Sequence, residues 1–179
     1  PDTHRTLLCD FFPSNELDIM DFNRVVEVTN LSLADFQQQL AAIFDIKKLP
    51  AATKPSGKHQ LTMCLQEEWF SLGWKAEVLQ EFDHLKVLID ADLLNVKVMK
   101  ELLGIEDVRT DERVQYIPGP ESLQGIEDAI GEHSNRVGFC LYPVQFEDLV
   151  TLTDDKGELP PKSTWFEPRI KKGLLVKGQ

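Results

Sequence analysis

The run Arg136–Tyr142 (RVGFCLY) is the most apolar strand-like stretch in the chain, and it constrains the fold more than any other segment. A strand apolar on both sides of its pleat needs cover on both faces, so it belongs at the centre of a sheet. Elements around it must supply neighbouring strands and covering helices. His4–Cys9 reads as a short strand closed by the Pro13-Ser14-Asn15 turn, and the β-branched run Phe22–Val28 leans to strand over short helix. Ser32 is placed to cap a helix with a stripe of Leu33, Phe36, Leu40, Ile43 and Phe44. After the Lys54–Gly57 loop, His59–Leu65 and Trp69–Ala76 form a hairpin turned at Glu67-Glu68.

The second half alternates more clearly. Asp90 or Asp92 can cap a helix bearing Leu93, Val96, Met99, Leu102 and Leu103, with Gly104 as its stop. Arg113–Ile117 reads as a strand, Pro120 opens a helix carrying Leu123, Ile126 and Ile130, and Gly131 ends it. Pro143 opens a further helix with Phe146, Leu149 and Val150, and Gly173–Lys177 reads as a last strand. Strand–helix order with a hairpin inserted predicts an α+β (α/β-like) fold: a mixed β-sheet covered by helices, in a single domain over residues 1–179. The length of 179 residues suffices for one hydrophobic core.

Charge and cysteine usage narrow the function classes. The formal net charge of −11 argues against nucleic-acid coating, because phosphates would be repelled by most of the surface. No apolar run reaches the roughly 18–20 residues that a bilayer helix needs. Cys9, Cys64 and Cys140 are far apart and lie mostly in apolar stretches, a pattern of small buried hydrophobes in a reduced, cytoplasmic setting, with no metal expected. Residues 162–177 carry a net +4 on this acidic body, a candidate anion site. Lys171, Lys172 and Lys177 within it also suit a solvated edge strand.

Three polar groups are candidate ligand-binding residues. Lys162-Ser163-Thr164 offers an ammonium, two hydroxyls and free backbone N–H groups to an oxyanion, or simply makes a turn. Thr3-His4-Arg5 could hold phosphate or carboxylate, or pair with acids. Asn23-Arg24 lies among apolar neighbours, where a buried arginine needs a partner or a ligand. From the residues alone, the structural role is favoured for each. Asp90 and Asp92 are read as helix caps. No nucleophile triad or P-loop pattern is present.

The tail PPKSTWFEPRIKKGLL (Pro160–Leu175) resembles the closing signature MPPKSTxFxPKxxxGL of the bacterial and archaeal family known as domain of unknown function 1015. THR at Thr3–Arg5, FNRVV at Phe22–Val26, LLGIEDVRTDERVQY at Leu102–Tyr116 and GFCLYPVQFEDL at Gly138–Leu149 agree in order. Leu159 and Arg169 depart from the usual Met and Lys. The resemblance implies that the chain is the C-terminal half of a longer protein, whose N-terminal part carries a DGHHRYxxA motif similar to that of ParB-like proteins. That group includes nucleotide-dependent free-serine kinases as well as DNA-partitioning factors. Family members tend to be encoded beside serine-biosynthesis genes. The likeness therefore implies a phosphate- or nucleotide-handling phosphotransferase, using a nucleotide with Mg²⁺ when full length and acting on a small phosphorylated or carboxylate-bearing ligand. Its own N-terminal half would be a partner, and this piece alone would be catalytically incomplete. A regulatory or interaction module is the alternative. A ParB-like DNA-associated role fits least, given the charge.

Overall fold

The computed structural model describes residues 11–169. The chain enters through β1 (Asp18–Met20) and β2 (Phe22–Glu27), with Asp21 alone between them. The Ser32 hydroxyl accepts the Asp35 backbone N–H and starts α1 (Leu33–Ile43) as anticipated. Phe44, expected in the helical stripe, instead opens β3 (Phe44–Lys48). It lies opposite Trp74 in the sheet, with ring centroids 4.2 Å apart, and this aromatic contact replaces another helical turn. The hairpin is β4 (Gln60–Leu65) and β5 (Glu68–Trp74), joined through Gln66 and Glu67, both at positive φ as a two-residue type I′ turn requires.

The remaining elements are α2 (Ala76–Gln80), α3 (Asp90–Leu94), β6 (Val114–Pro118), α4 (Ser122–Ile130), β7 (Arg136–Leu141), α5 (Phe146–Asp154) and β8 (Trp165–Glu167). A π-helical stretch, Asn95–Lys100, continues α3. Strands β3-β5-β4-β7-β2-β6 form one six-stranded sheet in that order, and β1 pairs with β8 in a small ribbon. β7 is interior, as its composition requires. Every pairing is antiparallel, which fits α+β over α/β. The expected first and last strands, His4–Cys9 and Gly173–Lys177, lie outside the described residues.

The pleat sorts side chains to two cores. Val26, Met63, Leu72, Phe139 and their neighbours meet α1, α2, α3 and the π-helical stretch. On the other face Val25, Cys64, Trp69, Ile117 and Cys140 meet Ile126 and Ile130 of α4. Helix α5 departs from expectation. Phe146 and Val150 are exposed and only Leu149 packs against the main core, because the helix lies at the margin and buries no residue fully.

Gly138 lets α4 approach β7. A Cβ there would stand 2.1 Å from Ile126 Cγ2, whereas one at Gly73 would meet nothing within 4 Å. Gly138→Ala should therefore destabilise the fold by about 1–3 kcal/mol through overpacking, while Gly73→Ala should change it by less than about 1 kcal/mol. Urea unfolding of the two variants checks the contrast.

Candidate functional site

Chain order alone separates Lys162 from β2, but the β1–β8 ribbon brings them together. Trp165 pairs with Met20, two residues before Phe22, so the Lys162-Ser163-Thr164 loop sits over the start of β2. Lys162 adopts positive φ (53°), and its Nζ lies 5.5 Å from the centre of the Phe22 ring. Phe22 also meets Trp165 edge-on at 5.8 Å, and Arg169 stacks on Trp165 at 4.1 Å. An open cleft of about 660 Å³ lies here, with Lys162, Ser163, Thr164, Phe22, Trp165 and Arg169 in its walls. It combines two cations with aromatic surface and hydroxyls, a lining suited to an anion carrying an apolar or aromatic part.

Arg24 lies fully buried under the loop. Nη1 donates to the Phe22 carbonyl at 2.8 Å, Nη2 to the Pro161 carbonyl at 3.4 Å, and the guanidinium sits 5.4 Å from the Tyr116 ring centre. Nε has no hydrogen-bond partner. Among the described residues, no carboxylate approaches it within 4.0 Å. Burial lowers its pKa to about 10, with Tyr116 and Asp92 acting against that shift, so Arg24 stays charged at neutral pH. Asp92 in turn has its carboxyl raised by burial and drawn back by Arg24.

Asn23 does not join this cluster. Its side chain points to the other face of the sheet, where Oδ1 accepts the Leu141 N–H at 3.0 Å and Nδ2 donates to buried Asp21 at 2.5 Å. Lys54 closes that group with a 2.7 Å ion pair to Asp21. Thr3, His4 and Arg5 lie outside the described residues, as does Cys9. The reading of sequence motifs missed the rings of Phe22, Tyr116 and Trp165. A signal for two of them was present, since FNR and STW place Phe22 and Trp165 directly beside polar candidates.

Asp90 does not cap its helix: Ile89 occupies the N-cap position with no side-chain bond. Its buried carboxylate instead collects Trp74 Nε1 and His59 Nδ1 on Oδ1, at 3.0 and 3.2 Å, and the His59 backbone N–H on Oδ2 at 3.0 Å. The bond to Asp90 raises the His59 pKa, opposed mainly by partial burial. Cys64 and Cys140 are free and buried, and burial pushes their thiols up to about 11 and about 12.

The chain matches, over residues 1–100, the family described as protein of unknown function (DUF1015). It belongs to that family. No curated protein sequence matches it. Among solved structures it is similar to SbnI with a C-terminal truncation from Staphylococcus aureus, at a TM-score of 0.51 and 11% identity, covering 89% of this chain and 55% of that one. It is also similar to a free serine kinase variant in complex with ADP (TM-score 0.50, 12% identity, 90% of this chain and 58% of that one). The same kinase as a variant with AMP gives 0.50 and 13%, covering 89% and 57%. At such identities the likeness is one of fold. The chain spans between 55% and 58% of the length of these structures.

Three measurements test the local chemistry. Asp90→Ala strands three donors and should cost at least ~3 kcal/mol in denaturant unfolding. His59 should add stability below its unfolded pKa of about 6.5, an increment lost as pH rises through its higher folded value. His59→Gln should therefore lower stability at pH 5.5 more than at pH 8.5. A native thiol reagent should label Cys64 and Cys140 slowly, since few thiolates form at neutral pH.

Proposed function

We propose that this chain forms the anion-binding part of a phosphate- or nucleotide-handling enzyme, a phosphotransferase related to free serine kinases and completed by a further N-terminal segment. The observation that carries the reading is Arg24, a buried guanidinium with no described carboxylate in ion-pair range, bonded to the Pro161 carbonyl beneath the Lys162-Ser163-Thr164 loop. A buried cation held close to a cleft favours an anion there, and positioning plus charge neutralisation is what phosphoryl transfer asks of a protein. The AMP and ADP complexes of structures sharing this fold support a nucleotide as the anion. No helix among the described residues is long and apolar enough to cross a membrane. Among the described residues there is no group of three or more His, Cys, Asp or Glu placed to hold a metal ion.

In this reading Lys162 contacts the ligand's phosphate oxygens, and Ser163 and Thr164 donate hydroxyl hydrogens to them. Arg24 contributes charge from below without touching the ligand. Calorimetric titration with ADP tests it. Lys162→Ala should weaken binding ten- to a hundredfold, matching the 1.5–3 kcal/mol or so of a charge-assisted bond, with unfolding stability changed by less than roughly 0.5 kcal/mol. Lys47→Ala, on exposed β3, should leave affinity unchanged. No ADP binding by the unaltered chain, or equal affinity in all three proteins, would make the loop a structural turn and favour the regulatory module.

A further inference from the structure

Ser163 has two exposures to empty space, although it is buried overall. It lines the cleft, and it also lines a second, small cavity whose walls include Asp90, Lys58, Asp148 and Tyr142. That cavity has a volume of about 20 Å³, enough for one water molecule to bridge polar groups. Asp90 is thus a carboxylate placed directly behind a cleft residue. Its charge there is set by a neighbour, because His59 Nδ1 lies 3.2 Å from Oδ1 while the His59 side chain keeps a third of its surface in solvent. The bulk solution can therefore protonate His59, and through it neutralise Asp90, without entering the cleft.

We propose that His59 and Asp90 are positioning residues that set the charge at the back wall of the cleft, so that an anion held at Ser163 binds more tightly when His59 is protonated. The inference rests on the anion-binding reading of the Lys162-Ser163-Thr164 loop. Its sign follows from simple electrostatics. With neutral His59, the Asp90 charge is uncompensated and repels an anion held at Ser163, on the other side of the small cavity. With protonated His59, the pair is neutral overall. Lys58 and Asp148 both act on the same imidazole with opposite sign, but they pair with each other at 2.7 Å and largely cancel. Linkage makes the effect reciprocal: the anion must raise the His59 titration midpoint by the same factor by which protonation tightens binding.

Sulfate is a suitable probe, since its charge is constant between pH 5.5 and 8.5. Titrated calorimetrically into the unaltered chain at fixed ionic strength, it should bind about fivefold more tightly at pH 5.5 than at 8.5, at the low end of usual coupling. His59→Gln, which can still donate to Asp90, should bind sulfate with no more than a twofold pH response. The His59 imidazole resonance of the unaltered chain should titrate higher with saturating sulfate than without. The same pH response in the unaltered chain and in His59→Gln, or a His59 midpoint unmoved by sulfate, overturns the coupling while leaving the Lys162 reading intact. No sulfate binding at any pH overturns both.

Discussion

The pleat of β2 governs where the polar chemistry of this domain goes. Successive residues face opposite sides, so Asp21, Asn23 and Val25 turn toward α4, while Phe22, Arg24 and Val26 turn toward the other core. A slip of one residue would exchange the sets and place the guanidinium under α4. Asn23 fixes the register. Its Oδ1 reaches the Leu141 N–H at the end of β7, a bond available only when Arg24 lies opposite Phe139. The residue that looked like half of a ligand-binding pair is the clamp that aims its neighbour.

Holding Arg24 in place is energetically costly. A charge removed from water usually recovers its hydration through a paired carboxylate, and unpaired burial is strongly unfavourable. Here two backbone carbonyls and the face of Tyr116 take part of that role, Nε is left without a partner, and Asp92 contributes only from a distance. Asp92 is itself half-buried, so bringing it into contact would add a second desolvated group. Burial disfavours the charged form of both groups, and the attraction between them opposes it. Such an arrangement responds to any further charge placed nearby, which is the property that sets this corner apart from the exposed Arg109–Asp107 pair at the surface.

Most of the architecture was legible in the residues, and the exceptions share one cause. The interior place of β7, the Ser32 cap, the hairpin and the helix ended by Gly131 follow from local pattern and turn chemistry. What failed depended on partners far away in sequence. Phe44 is a strand residue because Trp74 waits opposite it, and Asp90 leaves its helix end because Trp74 and His59 offer better donors. The stripe of α5 looks like a core stripe, yet among the described residues no element lies over Phe146 and Val150. The candidate site divides in the same way. Lys162-Ser163-Thr164 and Arg24 could be picked out by residue type, but their juxtaposition required the pairing of β1 with β8, short strands that the sequence does not announce.

The aromatic rings decide what kind of anion the cleft suits. Lysine and hydroxyls alone would serve inorganic phosphate, and an acidic chain with a net charge of −11 needs a local concentration of cations to hold any anion. Phe22 and Trp165 go further, because each already carries a cation against it, Lys162 on one and Arg169 on the other. Those contacts hold two long, flexible side chains near the cleft and so reduce the entropy lost when they bind. They also occupy ring surface that a heteroaromatic base would otherwise use. A nucleotide would therefore have to displace Arg169 from Trp165 or stack on a ring the cations leave free, such as exposed Phe12 or Phe166 in the same cleft wall. The second course leaves both cations where they stand in the cleft wall and would add a stacking contact worth about 1–3 kcal/mol, so it is the geometry in which the charges and the rings of this cleft act together.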